Sequence, residues 1–170
     1  MHVALLQASD SKQYRELMLE AYEQAPDAFT STAEDRAAEP DSFWVKRIAD
    51  PSGLNVAVGA FNGTELVGTV ALELSRKAKT RHKGLVIGMY VIPRARGTGA
   101  AKTLIQFLIT HASTLPGLKT LTLTVTDGNQ PAIKLYRSAG FQEFGVEPMA
   151  ILTPSGYKAK VYMWLPLQAK

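Results

Sequence analysis

The chain has no cysteine in its 170 residues. Disulfides, thiolate metal sites and a cysteine nucleophile are therefore excluded. Histidine is scarce, and His2, His82 and His111 do not fall at metal-ligand spacing, so no metal is expected. No apolar run reaches the roughly 18 residues that a membrane-crossing helix requires. The opening "MHVALLQASDSK" lacks the basic start and the apolar length of a signal peptide, and a cytoplasmic location is expected with no membrane partner. There is no internal repeat and no low-complexity linker, and 170 residues suit a single domain spanning 1–170.

Acids are nearly missing from the second part of the chain. Residues 1–73 carry 12 acids and 5 bases, whereas residues 74–170 carry 3 acids and 14 bases. The basic part is suited to an anion such as a nucleotide, a phosphorylated cofactor or a nucleic acid, and the acidic part more weakly to a cation.

Periodicity sets out the elements. "VALLQA" (3–8) reads as a strand, after which Asp10 can cap a helix whose Tyr14, Leu17, Met18, Ala21 and Tyr22 share one face. Residues 27–40 are polar and irregular, and 41–50 form a short second helix. Residues 54–75 make a hairpin turning at Asn62-Gly63. "GLVIGMYVI" (84–92) is a strand apolar on both faces. Ala101, Leu104, Ile105, Leu108 and Ala112 then form a helical stripe, followed by a strand (118–126), a helix (129–140), and two strands in "FQEFGVE" and "YKAKVYMWLPL". The β-α-β crossover in the middle must be right-handed and pairs two parallel strands. The expected fold is a mixed α/β (α+β) sheet of about seven strands with about four flanking helices.

The stretch "PRARGTGAAKT" (93–103) joins the buried strand to the helix that follows it. It fails as a P-loop, because the two obligatory glycine positions hold Arg96 and Ala101. It fails as a dinucleotide fingerprint too, because the third glycine position holds Lys102 and no acid stands about 20 residues on. The physics common to such loops is still present. Gly97 and Gly99 permit a tight turn, a helix start exposes unpaired amides, and Arg94, Arg96 and Lys102 add positive charge. A diphosphate is the natural ligand of that arrangement; a plain turn that starts a helix is the alternative.

The string R-G-T-G-A-A resembles the [QR]-x-x-G-x-[GA] motif of the GNAT superfamily of acetyl-CoA-dependent N-acetyltransferases, with Arg96, Gly99 and Ala101 in register. "NQPAIKLYRSAGF" resembles that family's second signature, with Asn129, Ala132, Tyr136, Gly140 and Phe141 in register. The resemblance is carried by residues 84–145 and is topological for 1–83. It implies a GNAT-like fold, a mostly antiparallel sheet whose fourth and fifth strands form a splayed parallel pair. It implies acetyl-CoA as co-substrate, with the pyrophosphate on Arg96, Gly97, Thr98, Gly99, Ala100, Ala101 and Lys102. The pantetheine arm would lie along Met89, Tyr90 and Val91, with Asn129 and Ile133 beside it. The Val91 N–H would stabilise the oxyanion, and Tyr136 would protonate the departing thiolate. The Arg96 side chain can alternatively shape the loop.

The expected acceptor is a primary amine on a small molecule or peptide, attacking directly in a ternary complex. Many family members place a glutamate on the fourth strand, but "GLVIGMYVI" has no acid. Glu73 is one candidate base, since Val70, Leu72 and Leu74 face the other way; an exposed strand position for Glu73, or a water relay, is the alternative. Phe29, Glu34 and Trp44 are the candidate acceptor contacts, with burial of Trp44 in the core as the competing reading. A homodimer through the C-terminal strands is left open. Two rivals stand beside the enzyme: a non-catalytic acyl-CoA sensor of the same fold, and a basic nucleic-acid-binding module. The second is weakened by "SRKAKTRHKG" (75–84), which has charge but no aromatic side chain for stacking.

Overall fold

A computed structural model describes residues 1–168 of the chain. Seven strands form one mixed sheet in the order β1-β2-β3-β4-β5-β7-β6. They are β1 (His2–Leu5), β2 (Asn55–Asn62), β3 (Glu65–Leu74), β4 (Lys83–Val91), β5 (Thr120–Thr126), β6 (Gln142–Thr153) and β7 (Gly156–Pro166). Every neighbouring pair is antiparallel except β4 and β5, which run parallel. The helices are α1 (Ser11–Gln24), α2 (Ala33–Ala37), α3 (Asp41–Ala49), α4 (Ala100–Ala112) and α5 (Gln130–Ser138).

The apolar stripes read from the sequence are the buried ones. Tyr14, Leu17, Met18, Ala21 and Tyr22 of α1 are buried, as are Leu104, Ile105, Leu108 and Ala112 of α4. Both faces of the sheet are covered. A Cβ built on Gly68 of β3 would meet Leu104 of α4, while on the opposite face Ala71 lies near Gly88, within reach of Met18 and Tyr14 of α1. β3 and β4, covered on both sides, are apolar along most of their length for that reason.

Three boundaries differ from the sequence reading. The irregular 27–40 segment contains α2, begun by a capping box in which Thr32 and Asp35 bond reciprocally. The first strand ends at Leu5, because Gln7 and Asp10 start a helical turn. The C-terminal hairpin is longer than expected, and β6 continues to Thr153 through an irregularity at Met149, whose φ is 49°.

The feature that makes a site is the parting of β4 from β5. Their pairing is confined to Lys83–Leu85 against Thr120–Thr122. Three residues further along β4, Gly88 takes a φ of 65°, and the register against β3 advances three residues on β4 for two on β3. This bulge gives β4 one surplus residue and swings it out of the sheet plane. Beyond it, Tyr90 and Val91 regain β3 while β5 runs on without them.

Candidate active site

The gap between β4 and β5 is a cleft of about 530 Å³. Ile87, Gly88 and Met89 form one wall and Thr124, Val125 and Thr126 the other. Asn129, Ala132 and Tyr136 of α5 close one side. Met18 and Tyr22 of α1, the loop residues Phe29, Thr30 and Ser31, and Arg36, Arg47 and Glu73 close the other. A second hollow of about 650 Å³ shares Ala28, Thr126 and Asn129 with it and runs under Pro154, Ser155 and Lys158 of the C-terminal hairpin. That hairpin is tied to the α1–α2 loop: Lys158 Nζ donates to Asp27 Oδ2 at 2.8 Å, Lys160 Nζ to Thr30 Oγ1 at 3.1 Å, and from β5 Thr126 Oγ1 donates to the Asp27 carbonyl at 2.6 Å.

Beyond the bulge, backbone polarity turns toward the cleft. Ile92 N donates to Val67 O at 3.0 Å, so the alternation of the strand directs the Val91 N–H and C=O away from β3. Arg96 Nε donates to that carbonyl at 3.0 Å, and its guanidinium carbon lies 5.7 Å from the centre of the Tyr90 ring. Arg96 thus folds back on the strand end and shapes the loop. Tyr90 is itself buried, and its hydroxyl donates to Glu20 at 3.1 Å. Met89, one residue earlier, faces the cleft.

The start of α4 has the form expected of an anion site. Gly97 and Gly99 have φ of 77° and 87°, the left-handed region that other residues enter at a cost. Space is open where a Cβ would stand on either. The first bond of the helix runs from Thr103 N to Gly99 O at 3.0 Å. Among the described residues this leaves the amides of Gly97, Thr98, Gly99, Ala100, Ala101 and Lys102 without a protein acceptor. Thr98 and Thr103 spend their hydroxyls on the Ala95 and Gly99 carbonyls, which secures the turn.

Tyr136 is buried, its ring edge-on to Phe141 at 5.7 Å. Among the described residues its hydroxyl makes no side-chain hydrogen bond, and the residue lines the cleft. Burial drives the phenol pKa far above its ordinary value, so the group carries its proton throughout the neutral range. About two turns earlier, Asn129 caps α5, its Oδ1 accepting from Ala132 N at 3.3 Å. Ile133 is buried in the core, and the cleft is lined by Ala132 instead.

Of the expected acceptor contacts, Phe29 lines the cleft, edge-on to Tyr22 at 5.4 Å. Glu34 is exposed on α2 away from it, and Arg36 of the same helix points in instead. Trp44 is 1% exposed and packs in the core against Tyr14 and Phe43, outside the cleft. Glu73 lines the cleft. Arg36, Arg47, Met18, Tyr22, Leu85 and Tyr162 are lining residues that the sequence did not single out. Arg47 lay unmarked beside Trp44 in "DSFWVKRIAD", a short helix whose orientation no periodicity could fix.

Among the described residues, no group of three or more His, Asp or Glu is gathered to hold a metal. No helix is long and apolar enough to cross a membrane.

Comparison with known proteins agrees with this geometry. Over 123 residues the chain is 28% identical to the L-amino acid N-acetyltransferase AaaT of Escherichia coli (strain K12), covering 72% of this chain and 75% of that one. YncA from Salmonella typhimurium, solved with its cofactor acetyl-CoA, superposes with a TM-score of 0.86 at 19% identity over 100% of this chain and 95% of that one. The phosphinothricin acetyltransferase (Pat) of Sinorhizobium meliloti, in complex with AcCoA, superposes with a TM-score of 0.80 at 20% identity over 98% of this chain and 89% of that one. The model of the Acetyltransferase (GNAT) family matches residues 12–141, from α1 through the end of α5, and the chain belongs to that family.

Proposed function

We propose that the protein transfers an acetyl group from acetyl-CoA to a primary amine of a small molecule or peptide, by direct attack in a ternary complex. The observations that carry this reading are six unpartnered amides at the start of α4, the Val91 backbone turned away from β3, and a cleft lined by Met89, Asn129 and Tyr136. The action of the Escherichia coli relative on L-amino acids supports nitrogen as the acceptor atom.

The amides of Gly97 through Ala101, with Lys102 beside them, suit the pyrophosphate of coenzyme A. The Met89–Val91 edge and the Asn129 side chain suit its pantetheine arm. Acetyl-CoA supplies the acetyl group as a thioester. The Val91 N–H stands where negative charge on the carbonyl oxygen needs a donor. In the exchange a C–N bond forms and the C–S bond breaks. The amine proton passes to a base and the Tyr136 proton to sulfur. Glu73, or water on the cleft carbonyls, takes the first proton. Without a cysteine in the chain, an acyl-cysteine route is absent. We further propose a homodimer, because β6 is an unpaired sheet edge that exposes Phe144, Val146, Met149 and Leu152, and an antiparallel edge can pair with its own copy.

A non-catalytic sensor of the same fold is the second reading, favoured by the lack of any acid on β4. Thiol release from acetyl-CoA with a panel of amines separates the two. Amine-dependent release is expected. Stabilisation by acetyl-CoA without release on any amine would establish the sensor.

A further inference from the structure

Arg47 is a cation with an unmet need. It sits on α3 with its side chain in the cleft and partly withdrawn from water. Its Nε is buried without an acceptor, and so is the hydroxyl of Tyr14 next to it. Arg47 takes part in none of the ion pairs formed among the described residues. The Tyr14 hydroxyl and the Glu73 carboxylate lie near enough to steady the Arg47 charge, but Glu73 makes no ion pair with it, and a guanidinium partly withdrawn from water in a cleft keeps donors for an anionic ligand.

The surroundings repeat the pattern. Arg36 enters the same cleft from α2. The guanidinium carbons of Arg36 and Arg47 lie 4.9 and 5.6 Å from the centre of one ring, that of Phe43. Two like charges are thus gathered on one aromatic side chain. Arg36 has Glu39 and Ser31 as partners at 3.4 and 3.1 Å, so the unmatched charge belongs to Arg47. Glu73 is the carboxylate on this side of the cleft, and Lys160 adds a further cation at its rim. The remaining lining here is largely apolar, with Met18, Tyr22, Phe29, Leu85 and Ile87 beside the hydroxyl residues Thr30 and Ser31. Arg47 lies on the α1 side, across the aperture from α5, and is separate from the amides that open α4.

An acceptor that satisfies this site carries a negative group and an amine on one small body, with an apolar remainder. We propose that the acceptor is an α-amino acid with a free carboxylate and an apolar side chain, and that Arg47, assisted by Arg36, binds that carboxylate. The amine is then left to face Glu73 and the Met89–Val91 strand. Met18, Tyr22 and Phe29 receive the side chain. This rests on the acyl-transfer reading above and specifies its acceptor.

The test compares an apolar L-amino acid such as leucine with its carboxamide and its decarboxylated amine, in wild type, Arg47→Gln and Arg47→Lys. In wild type, kcat/KM for the amino acid should exceed that for the amide by roughly 100-fold, the worth of a charged hydrogen-bonded contact. Arg47→Gln should bring the two to within about threefold of each other, and Arg47→Lys should restore part of the gap. Melting curves of the variants establish that they are folded. Equal use of acid and amide by wild type, or an equal proportional loss on both in Arg47→Gln, would overturn the proposal. If no amine is acetylated, calorimetric titration of the coenzyme A-loaded protein decides it. Amino-acid binding that exceeds amide binding and is lost in Arg47→Gln upholds the carboxylate site while the acyl-transfer reading fails. Equal binding of the two, or none, rejects the site.

Discussion

A single side chain can hold a proton only as firmly as its surroundings allow, and Tyr136 is held by burial alone. Its phenol therefore stays protonated through the neutral range, and under the proposed donor role Tyr136→Phe should lower kcat by about 100-fold or more while the KM for acetyl-CoA changes little. Thiol-release kinetics on the variant check this. The same burial has a consequence for stability. Burial raises the folded pKa of Tyr14, Tyr22 and Tyr136 above the ordinary tyrosine value of about 10. A group raised on folding contributes stability in full below its unfolded pKa and loses it as pH climbs toward the folded one. Unfolding free energy should therefore be flat from neutrality to about pH 10 on account of these groups and fall above that. Urea titrations at pH 7 and pH 11 measure the fall, which should be shallower in Tyr136→Phe.

At the scale of the element, the start of α4 is the structure with the least tolerance for change. Gly99→Ala places a Cβ on a residue at φ 87° and should destabilise the protein by about 1–2 kcal/mol. It should also raise the KM for acetyl-CoA, since the new methyl enters the open space above the amides. Gly117→Ala, at φ 78° in a turn away from the cleft, is the control: a similar loss of stability with KM unmoved. Arg96→Ala should likewise raise that KM, by freeing the Val91 carbonyl from its 3.0 Å bond.

This element was legible in the sequence because its constraints are local. An apolar run, two glycines and a helical stripe follow one another without a break, and Asn129 and Tyr136 are fixed relative to each other by one helix. The opposite wall was not. Periodicity states which residues share a face, and it placed Tyr14, Met18 and Tyr22 together correctly. It does not state what that face meets. On the nine-residue α3, Trp44 turned inward and Arg47 reached the cleft, an arrangement that depends on packing against Tyr14 of α1, 30 residues earlier in the chain. Arg36, and not the expected Glu34, lines the cleft for a similar reason, since the capping box that sets the start of α2 also sets which of its side chains faces the cleft.

For the molecule as a whole, the charge asymmetry between its two parts becomes a spatial one only in part. The basic second part supplies Lys102 at the start of α4 and Lys160 at the cleft, but the acidic first part supplies Arg36 and Arg47 to the same cleft. Net charge by segment therefore does not say which part of the chain supplies the cations that line the cleft. The C-terminal hairpin bears on the whole molecule in another way. It is joined to the α1–α2 loop by the half-exposed Lys158–Asp27 pair, and Asp27→Ala should cost under about 1 kcal/mol in global stability. Its effect should appear instead as faster amide exchange around residues 154–160. The open β6 edge makes sedimentation velocity informative: a dimer is expected, and Val146→Lys should shift it toward monomer.

The surplus residue at Gly88 has a consequence that outlasts any particular substrate. Parallel strands left to themselves would zip together along their full length, and the wedge between β4 and β5 exists because one amino acid too many makes that impossible. A chain shortened by deletion of Gly88 would gain rungs on its ladder and lose the doorway. The cleft in this protein is thus written as an insertion, and the tighter sheet is the one without a cleft.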